Sequence, residues 1–315
     1  MINSKKAICT ASPFKRAWDG LIKYYTHKTS GLRHIYVGLR TSADKAISIC
    51  DTAKTVAPDL LRIVSLDPVL SFLVQHLYYK FYPNSNQDYV SFERIIIALH
   101  LNTVKNIVLQ AAETSYANLT EIGMDQEKFW KHSVATAIFA KLLAKERGVK
   151  QENLQEYWTA ALIHDIGKFA QAAQGLLVNI DADYSESGHA KAGAEYAKAC
   201  GLPDSLCAIM SEHHSLKLSK AAYAPIKLDL LYNTIAANYL ANKAGFSCKS
   251  KKGDKQKTIK KLPPVVLSAL NLTQKTGNEI FVKIKIEFDE QFKKIERFIL
   301  DKSTLEKTTE IMEAR

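Results

Sequence analysis

Apolar residues recur along the chain at the i, i+3, i+4 and i+7 spacing of amphipathic helices, and no convincing series of alternating strands accompanies them. The clearest stripe lies between residues 129 and 143, where one helical face carries Phe129, Trp130, Val134, Ile138, Leu142 and Leu143. Such a stripe is apolar because it packs against other helices. The pattern therefore predicts an all-α fold.

Capping and stop signals predict where these helices begin and end. Asp67-Pro68 predicts a start with proline in the first turn, and Asp125 predicts the N-cap of a later helix that Gly148 ends. Another helix is expected from about Ser91, after a loop at 83–86. Further helices are predicted over about 152–167, 189–200, 204–214 and 225–245, with one or two more after Leu262-Pro263-Pro264.

Composition narrows the class of protein without changing the predicted fold. The chain has 315 residues, 47% hydrophobic and 24% charged, which is typical of a globular protein with one large domain or two moderate ones. No apolar run reaches the roughly 18 residues that span a bilayer, and no signal-peptide core follows the basic N-terminus. We therefore expect a cytoplasmic protein with no membrane partner. Five scattered cysteines without C-x-x-C spacing indicate reduced thiols rather than a zinc ribbon.

The formal net charge of +11 raises the question of an acidic partner such as nucleic acid. Much of this charge lies in one short stretch that contains Lys249, Lys251, Lys252, Lys255, Lys257, Lys260 and Lys261. No aromatic residues interleave with these lysines, so the stacking platform of a single-strand binder is missing. We expect a solvated loop, with non-specific nucleic-acid binding as the least favoured function.

The residues best suited to metal binding or catalysis in this sequence are histidines. Of the nine in the chain, five fall between residues 132 and 214, and an aspartate directly follows one of them. They are His132, His164-Asp165, His189 and His213-His214. Each lies on or at the end of a separate predicted helix, as the ligands of metal sites in helical bundles do. A lone histidine is more often structural than functional, but this combination favours a metal site for iron, manganese, zinc or nickel.

The His-Asp pair has a specific use in such a site. The two oxygens of Asp165 could bridge two cations about 3.5–4 Å apart, which would polarise a phosphoryl oxygen and activate water. Lys168 follows one turn later, where its ammonium group could contact a phosphate. Gly167 lies where the helix would end and the chain turn away.

These segments resemble the HDOD domain family, a branch of the HD metal-dependent phosphohydrolase superfamily. The matching pieces are Phe129-Trp130-Lys131-His132-Ser133, Ala161-Leu162-Ile163-His164-Asp165-Ile166-Gly167-Lys168, Gly188-His189-Ala190-Lys191-Ala192-Gly193-Ala194, Gly201-Leu202-Pro203 and His213-His214. Upstream, Asp67-Pro68-Val69-Leu70-Ser71 and the helix at 93–108 are similar to the family, as is Leu262-Pro263-Pro264-Val265-Val266 downstream. The resemblance covers about residues 45 to 300.

The resemblance implies an N-terminal helical subdomain packed on an HD-type helical core. By position, it divides the chain into an N-terminal extension (1–44), the N-terminal helical part (45–120), the metal-binding core (121–300) and a tail (301–315). It makes metal ligands of His132, His164, Asp165, His189, His213 and His214. The expected cofactors are two divalent transition metals per chain, iron before manganese, zinc or nickel. It also implies bacterial signalling, with a signalling protein or a phosphorylated small molecule as partner.

Three departures from the pattern of the superfamily bear on activity. HD enzymes place a further aspartate after the His-His pair, whereas Asn238 occupies that position here and cannot offset metal charge. No Gly-Tyr-Pro follows His213-His214, which argues against the related cyclic dinucleotide phosphodiesterases. His100 stands where the family commonly has glycine.

Three functions follow from these observations. A regulatory module with the metals as staples or as a sensed ligand is favoured by the Asn238 departure. A metal-dependent phosphohydrolase, acting on phosphomonoesters, phosphodiesters or nucleotides, is favoured by the complete histidine set, with Asp165 between the metals and Lys168 on the phosphate. Nucleic-acid binding through the lysine stretch comes third.

Overall fold

The computed structural model describes residues 40–50, 57–83, 89–106, 108–109, 125–168, 188–215, 227–248 and 261–300, and within them it contains helices and no strands. We number the helices α1 (Arg40–Cys50), α2 (Ala57–Leu66), α3 (Pro68–Phe81), α4 (Phe92–Leu99), α5 (Gln126–Glu146), α6 (Leu154–Ile163), α7 (Gly188–Ala199), α8 (Asp204–Glu212), α9 (Leu228–Lys243), α10 (Pro264–Ala269) and α11 (Gln274–Ile299). Residues 101–106 are also helical, and Gln151–Asn153 form a 3-10 turn before α6. The predicted all-α fold is confirmed.

The capping signals of the sequence are found where they were expected. The Asp67 side chain accepts hydrogen bonds from the backbone N–H groups of Val69 and Leu70 at 2.9 and 3.0 Å, with Pro68 in the first turn of α3. Asp125 caps α5 by accepting from Lys128 N at 3.0 Å, and Ser91 caps α4. These bonds satisfy amide groups that have no partner inside the helix. The predicted loop at 83–86 lies largely outside the described residues. Pro225, at the start of the helix predicted over 225–245, also lies outside them.

One predicted helix boundary is wrong. The helix expected to continue to about Gly167 ends at Ile163, so that His164 and Asp165 lie in a turn before a short helical segment at 166–168. The chain bends here because Gly167 packs directly against the backbone of α7, at His189 and Gly193. The His-Asp pair is therefore presented by a turn, where two neighbouring side chains can reach the same point.

Helix α5 is the central element, and it packs against α6, α9, α11 and α3. The N-terminal helices α1–α4 pack on this core through α3, the end of α2, and a contact between α1 and α11. Two tryptophans of the core fix that contact, since Trp130 Nε1 donates to Leu66 O at 2.9 Å and Trp158 Nε1 donates to Ser65 O at 2.8 Å. Both acceptors lie in the last turn of α2, where carbonyl groups lack helical partners. The domain divisions at residues 45, 121 and 301 remain predictions.

Helix α3 also contacts α7, the helix that carries His189. The rings of Phe72 and Tyr196 stack with centroids 5.0 Å apart. His76 is buried, and its Nδ1 donates to the carbonyl oxygen of Cys200 at 2.6 Å, just beyond the end of α7. The N-terminal helices thus support one of the helices that carry a candidate ligand.

The burial of His76 predicts a pH-dependent stability. Burial lowers its pKa from 6.5 to about 4, with the bond to Cys200 opposing this and Lys80 adding to it. The unfolded chain therefore takes up a proton first, so this stabilisation is complete above pH 6.5 and is lost as the pH falls towards 4. Between about pH 7.5 and pH 5, we expect the free energy of unfolding of wild type to fall about 2 kcal/mol more than that of His76→Asn.

Denaturant unfolding at both pH values measures that difference. Asparagine places an amide nitrogen near the position of Nδ1, which keeps the donor to Cys200 and removes the titrating group. Both proteins contain the same clustered histidines, whose contribution therefore cancels. Equal pH dependence of the two proteins would show that His76 titrates normally in the folded state.

Two further features of the helices concern the backbone and the question of a membrane span. His100 follows α4 with φ 63°, in the region that favours glycine, so the sequence departure at this position has a conformational cost.

No single helix in the described part of the chain is long and apolar enough to cross a membrane. Helices α2 and α3 reach that length and composition only as a pair, which is bent by 113°.

Candidate metal centre

The structure brings together all six side chains of the candidate ligand set, from four separate elements. His132 comes from the middle of α5, His164 and Asp165 from the turn after α6, His189 from the first turn of α7, and His213 and His214 from the end of α8. The ring centroids are 5.3 Å apart for His132–His164, 4.9 Å for His164–His213, 5.4 Å for His189–His213 and 5.0 Å for His189–His214. Residues separated by up to 82 positions in sequence thus form one cluster.

Backbone carbonyl groups orient three of the imidazoles. Nδ1 of His132 donates to Phe246 O at 2.6 Å, Nδ1 of His164 to Ala161 O at 2.7 Å, and Nδ1 of His213 to Met210 O at 2.8 Å. Because Nδ1 donates to the backbone, Nε2 of each ring is the nitrogen that faces the centre of the cluster. Metal-binding histidines are typically held in this way.

Asp165 lies between two groups of histidines and offers one oxygen to each. Its Oδ1 lies 3.0 Å from His189 Nε2 and 3.2 Å from His213 Nε2. Its Oδ2 lies 3.3 Å from His132 Nε2 and 3.6 Å from His164 Nε2. We call the first group, with His214, the Oδ1 half and the second group the Oδ2 half. Within each half, the potential ligand atoms lie within 4.8 Å of one another.

The donor atoms have the spacing and chemistry of metal ligands. His189 Nε2 lies 3.4 Å from His213 Nε2 and 3.1 Å from His214 Nε2. Two imidazole lone pairs at this distance repel each other unless a proton or a cation lies between them. Neighbouring ligands around a cation with bonds of about 2.0–2.2 Å are separated by roughly 3.0–3.6 Å. The residues present therefore fit divalent cations.

Buried polar atoms without partners support the same conclusion. His164 Nε2, Asp165 Oδ1 and His189 Nδ1 are shielded from solvent and have no hydrogen-bond partner among the described residues. A buried polar atom left unpaired costs about 1–3 kcal/mol. A cation in the Oδ2 half would remove this cost for His164 Nε2, and a cation in the Oδ1 half would remove it for Asp165 Oδ1.

The protonation states of the cluster suit metal binding. Burial by itself would raise the pKa of Asp165, but the Lys168 ammonium group and the surrounding histidines hold it well below its usual range. For the histidines, burial has the opposite effect: it is the main reason that the pKa of His164 lies well below 6.5 and that the pKa of His189 is about 4. The pKa of His214 is lowered for the same reason. At neutral pH, these three imidazoles are neutral and the carboxylate is ionised.

Lys168 does not extend into an open site in this structure. Its ammonium group pairs with Asp165 Oδ2, and the side chain is only 12% exposed. A contact between Lys168 and phosphate, as suggested by its position in the sequence, therefore remains a prediction. Lys168 and His214 are half-buried, whereas the other five clustered residues are buried.

A close contact between two glycines holds the Asp165 turn against α7. A Cβ atom added to Gly167 would lie 1.9 Å from His189 O and 2.6 Å from Gly193 N. Real Cβ atoms do not approach backbone this closely, so only glycine fits at residue 167. Sequence reasoning gave Gly167 the role of ending a helix and missed its contact with Gly193. The small residues Ala190, Ala192, Gly193 and Ala194 were the available signal.

Asn238 makes its side-chain contact within its own helix. Its amide oxygen accepts from Asn242 Nδ2 at 2.8 Å, one turn along α9. The side chain is buried, and the described hydrogen bonds do not connect it to the six clustered residues. Its predicted place beside the metals therefore remains a prediction. Phe246, which accepts the bond from His132, lies just beyond the end of the same helix, and sequence reasoning did not find this role.

Comparison with known proteins agrees with this architecture. The HDOD domain model matches residues 39–216, more than half of the chain. The MmoQ response regulator from Methylococcus capsulatus str. Bath has 13% identity and a TM-score of 0.53, covering 76% of this chain and 95% of that one. An HDOD domain protein of unknown function from Geobacter sulfurreducens has 16% identity and a TM-score of 0.45, covering 82% and 91%. No curated protein matches the chain.

Proposed function

The chain belongs to the HDOD domain family, and from this premise we propose that it is a bacterial regulatory protein of signal transduction. Its His/Asp cluster holds two divalent transition metals, with iron preferred over manganese, zinc and nickel. The metals stabilise a binding surface, and the protein acts by binding a signalling protein or a phosphorylated small molecule. The fold also occurs in a response regulator, the MmoQ protein.

The charge of the centre is the observation that carries this proposal. In the described cluster, Asp165 is the only carboxylate, it is shared by two groups of imidazoles, and Lys168 already neutralises it. The position where HD enzymes have a further aspartate holds Asn238, whose side chain bonds within α9. A centre with two dications and one carboxylate keeps a large positive charge, which favours holding an anion over releasing a phosphate product.

A metal-dependent phosphohydrolase is the second candidate, and one observation favours it. The two oxygens of Asp165 point to different groups of histidines, which is the arrangement expected of a carboxylate that bridges two metals. Two divalent cations, when bound, polarise a phosphoryl oxygen and lower the pKa of water. In that reaction the histidines hold the cations, and Lys168 would have to leave Asp165 to contact the phosphate.

A turnover assay separates the two candidates. Wild type, purified without added metal and then loaded with iron or manganese, is compared with the His164→Ala, Asp165→Ala double variant on phosphomonoesters, phosphodiesters and nucleotides. We expect metal in the wild type, as measured by elemental analysis, and no turnover above the double variant. Turnover that is lost in the double variant would establish the hydrolase instead.

Nucleic-acid binding through the lysine stretch remains the least favoured function. Residues 249–260 lie outside the described residues, so the structure adds no contact in favour of such a surface. If it exists, its affinity is expected to be non-specific and to fall steeply with salt.

A further inference from the structure

The two halves of the cluster differ in the number of ligands that they offer. The Oδ1 half combines one carboxylate oxygen with three imidazoles, from His189, His213 and His214. The Oδ2 half combines the other oxygen with two imidazoles, from His132 and His164. Since both halves share the single negative charge of Asp165, the half with more imidazoles is the stronger site for a first cation.

The halves also differ in charge, because Lys168 lies on one side of the carboxylate only. Its ammonium group pairs with Oδ2, the oxygen that faces His132 and His164. Because Coulomb repulsion falls with distance, this ammonium group repels a dication most strongly beside Oδ2.

The ion pair is well shielded from solvent. The Asp165 side chain is 1% exposed and that of Lys168 12%. A buried carboxylate needs a compensating charge, and without a metal Lys168 is the cation in direct contact with it among the described residues. Among the described residues, the ammonium group therefore supplies that compensating charge in the metal-free protein.

We propose that Lys168 is an internal cation that occupies the Oδ2 side of Asp165, so that metals bind in sequence: the first in the Oδ1 half, and the second only after the ammonium group has moved away. This inference rests on the proposed function, because it concerns the same metal centre. Once displaced from Asp165, the Lys168 ammonium group can contact an anion. Binding of the second metal therefore moves the half-buried Lys168 side chain away from Asp165.

A titration of metal-free protein with Co²⁺, followed by calorimetry and visible absorption, tests the order of binding. In wild type we expect two separate equivalents, the second weaker than the first by at least about tenfold. In Lys168→Met, which keeps side-chain length without charge, the second equivalent should bind at least about tenfold more tightly. Lys168→Arg, which keeps the charge, should leave it weak.

Control variants distinguish the effect of the Lys168 charge beside Asp165 from a general change in net charge and from a loss of stability. Lys191→Met makes the same change in net charge on α7, where the side chain is 80% exposed, and should leave both equivalents unchanged. Adding His132→Ala to Lys168→Met should remove only the second equivalent. Metal-free Lys168→Met should also melt at a lower temperature than wild type, because its buried carboxylate has lost its cation. A purely structural role would lower the melting temperature without tightening the second equivalent.

The possible failures can be distinguished. Two equivalents of equal affinity in wild type would overturn the proposal from the wild-type titration alone, whether or not the variants fold, and would leave the metal centre intact. An unchanged second equivalent in folded Lys168→Met would overturn it as well. Absence of any Co²⁺ binding in wild type would instead reject the metal centre on which the proposed function depends.

Discussion

Replacing Asp165 with asparagine is expected to abolish metal binding in both halves of the cluster. The carboxylate contributes an oxygen to each group of histidines, and among the clustered ligands it is the only one that carries negative charge. A neutral amide keeps the shape of the side chain but offers a single, weaker oxygen donor. We expect metal affinity to fall by at least about 100-fold, so that protein purified without added metal contains almost none.

Elemental analysis of the purified protein measures this effect directly. Asp204→Asn is the matched control, because it makes the same chemical change at an exposed position on α8, the helix that leads to His213 and His214. It should retain the wild-type metal content. Far-ultraviolet circular dichroism should show that both variants remain helical. If Asp165→Asn bound as much metal as wild type, the shared-carboxylate arrangement would be refuted.

Among the described glycines, Gly167 is the one whose replacement with alanine is expected to be most destabilising. The new methyl group would lie 1.9 Å from His189 O, 2.6 Å from Gly193 N and 2.8 Å from Gly193 Cα. All three are backbone atoms, so a side-chain rotation cannot relieve the clash and α7 has to move away. We expect a loss of about 3 kcal/mol in the free energy of unfolding and a melting temperature roughly 5–10 °C lower.

The displacement should also affect the cluster, because α7 carries His189. Metal content should therefore fall together with stability in Gly167→Ala. Gly277→Ala is the matched control: its Cβ would meet only side-chain atoms, Leu267 Cδ2 at 3.2 Å and two ring atoms of Phe281 at 3.9 Å, near the start of α11. Alanine is favoured over glycine there by about 0.5–1 kcal/mol, so this control should be neutral or slightly stabilising. Equal melting temperatures for the two variants would contradict the close contact.

Local patterns in the sequence were sufficient to predict most of the helices. The apolar stripe of α5, the caps at Asp67, Ser91 and Asp125, and the stop at Gly148 depend on residues close together in the chain. Caps and stripes act through neighbours within one or two turns, so their effect can be read without knowing the fold. The family, too, was identified from motifs of this kind.

Only the tertiary structure decided the arrangement of the centre. The sequence indicated which six residues to consider, but not that Asp165 offers one oxygen to each group of histidines or that Lys168 pairs with one of those oxygens. The sequence also placed the end of α6 too late, at about Gly167, since the bend there results from contact with α7. Such features depend on distances between segments far apart in the chain, and these distances are determined only when the helices pack.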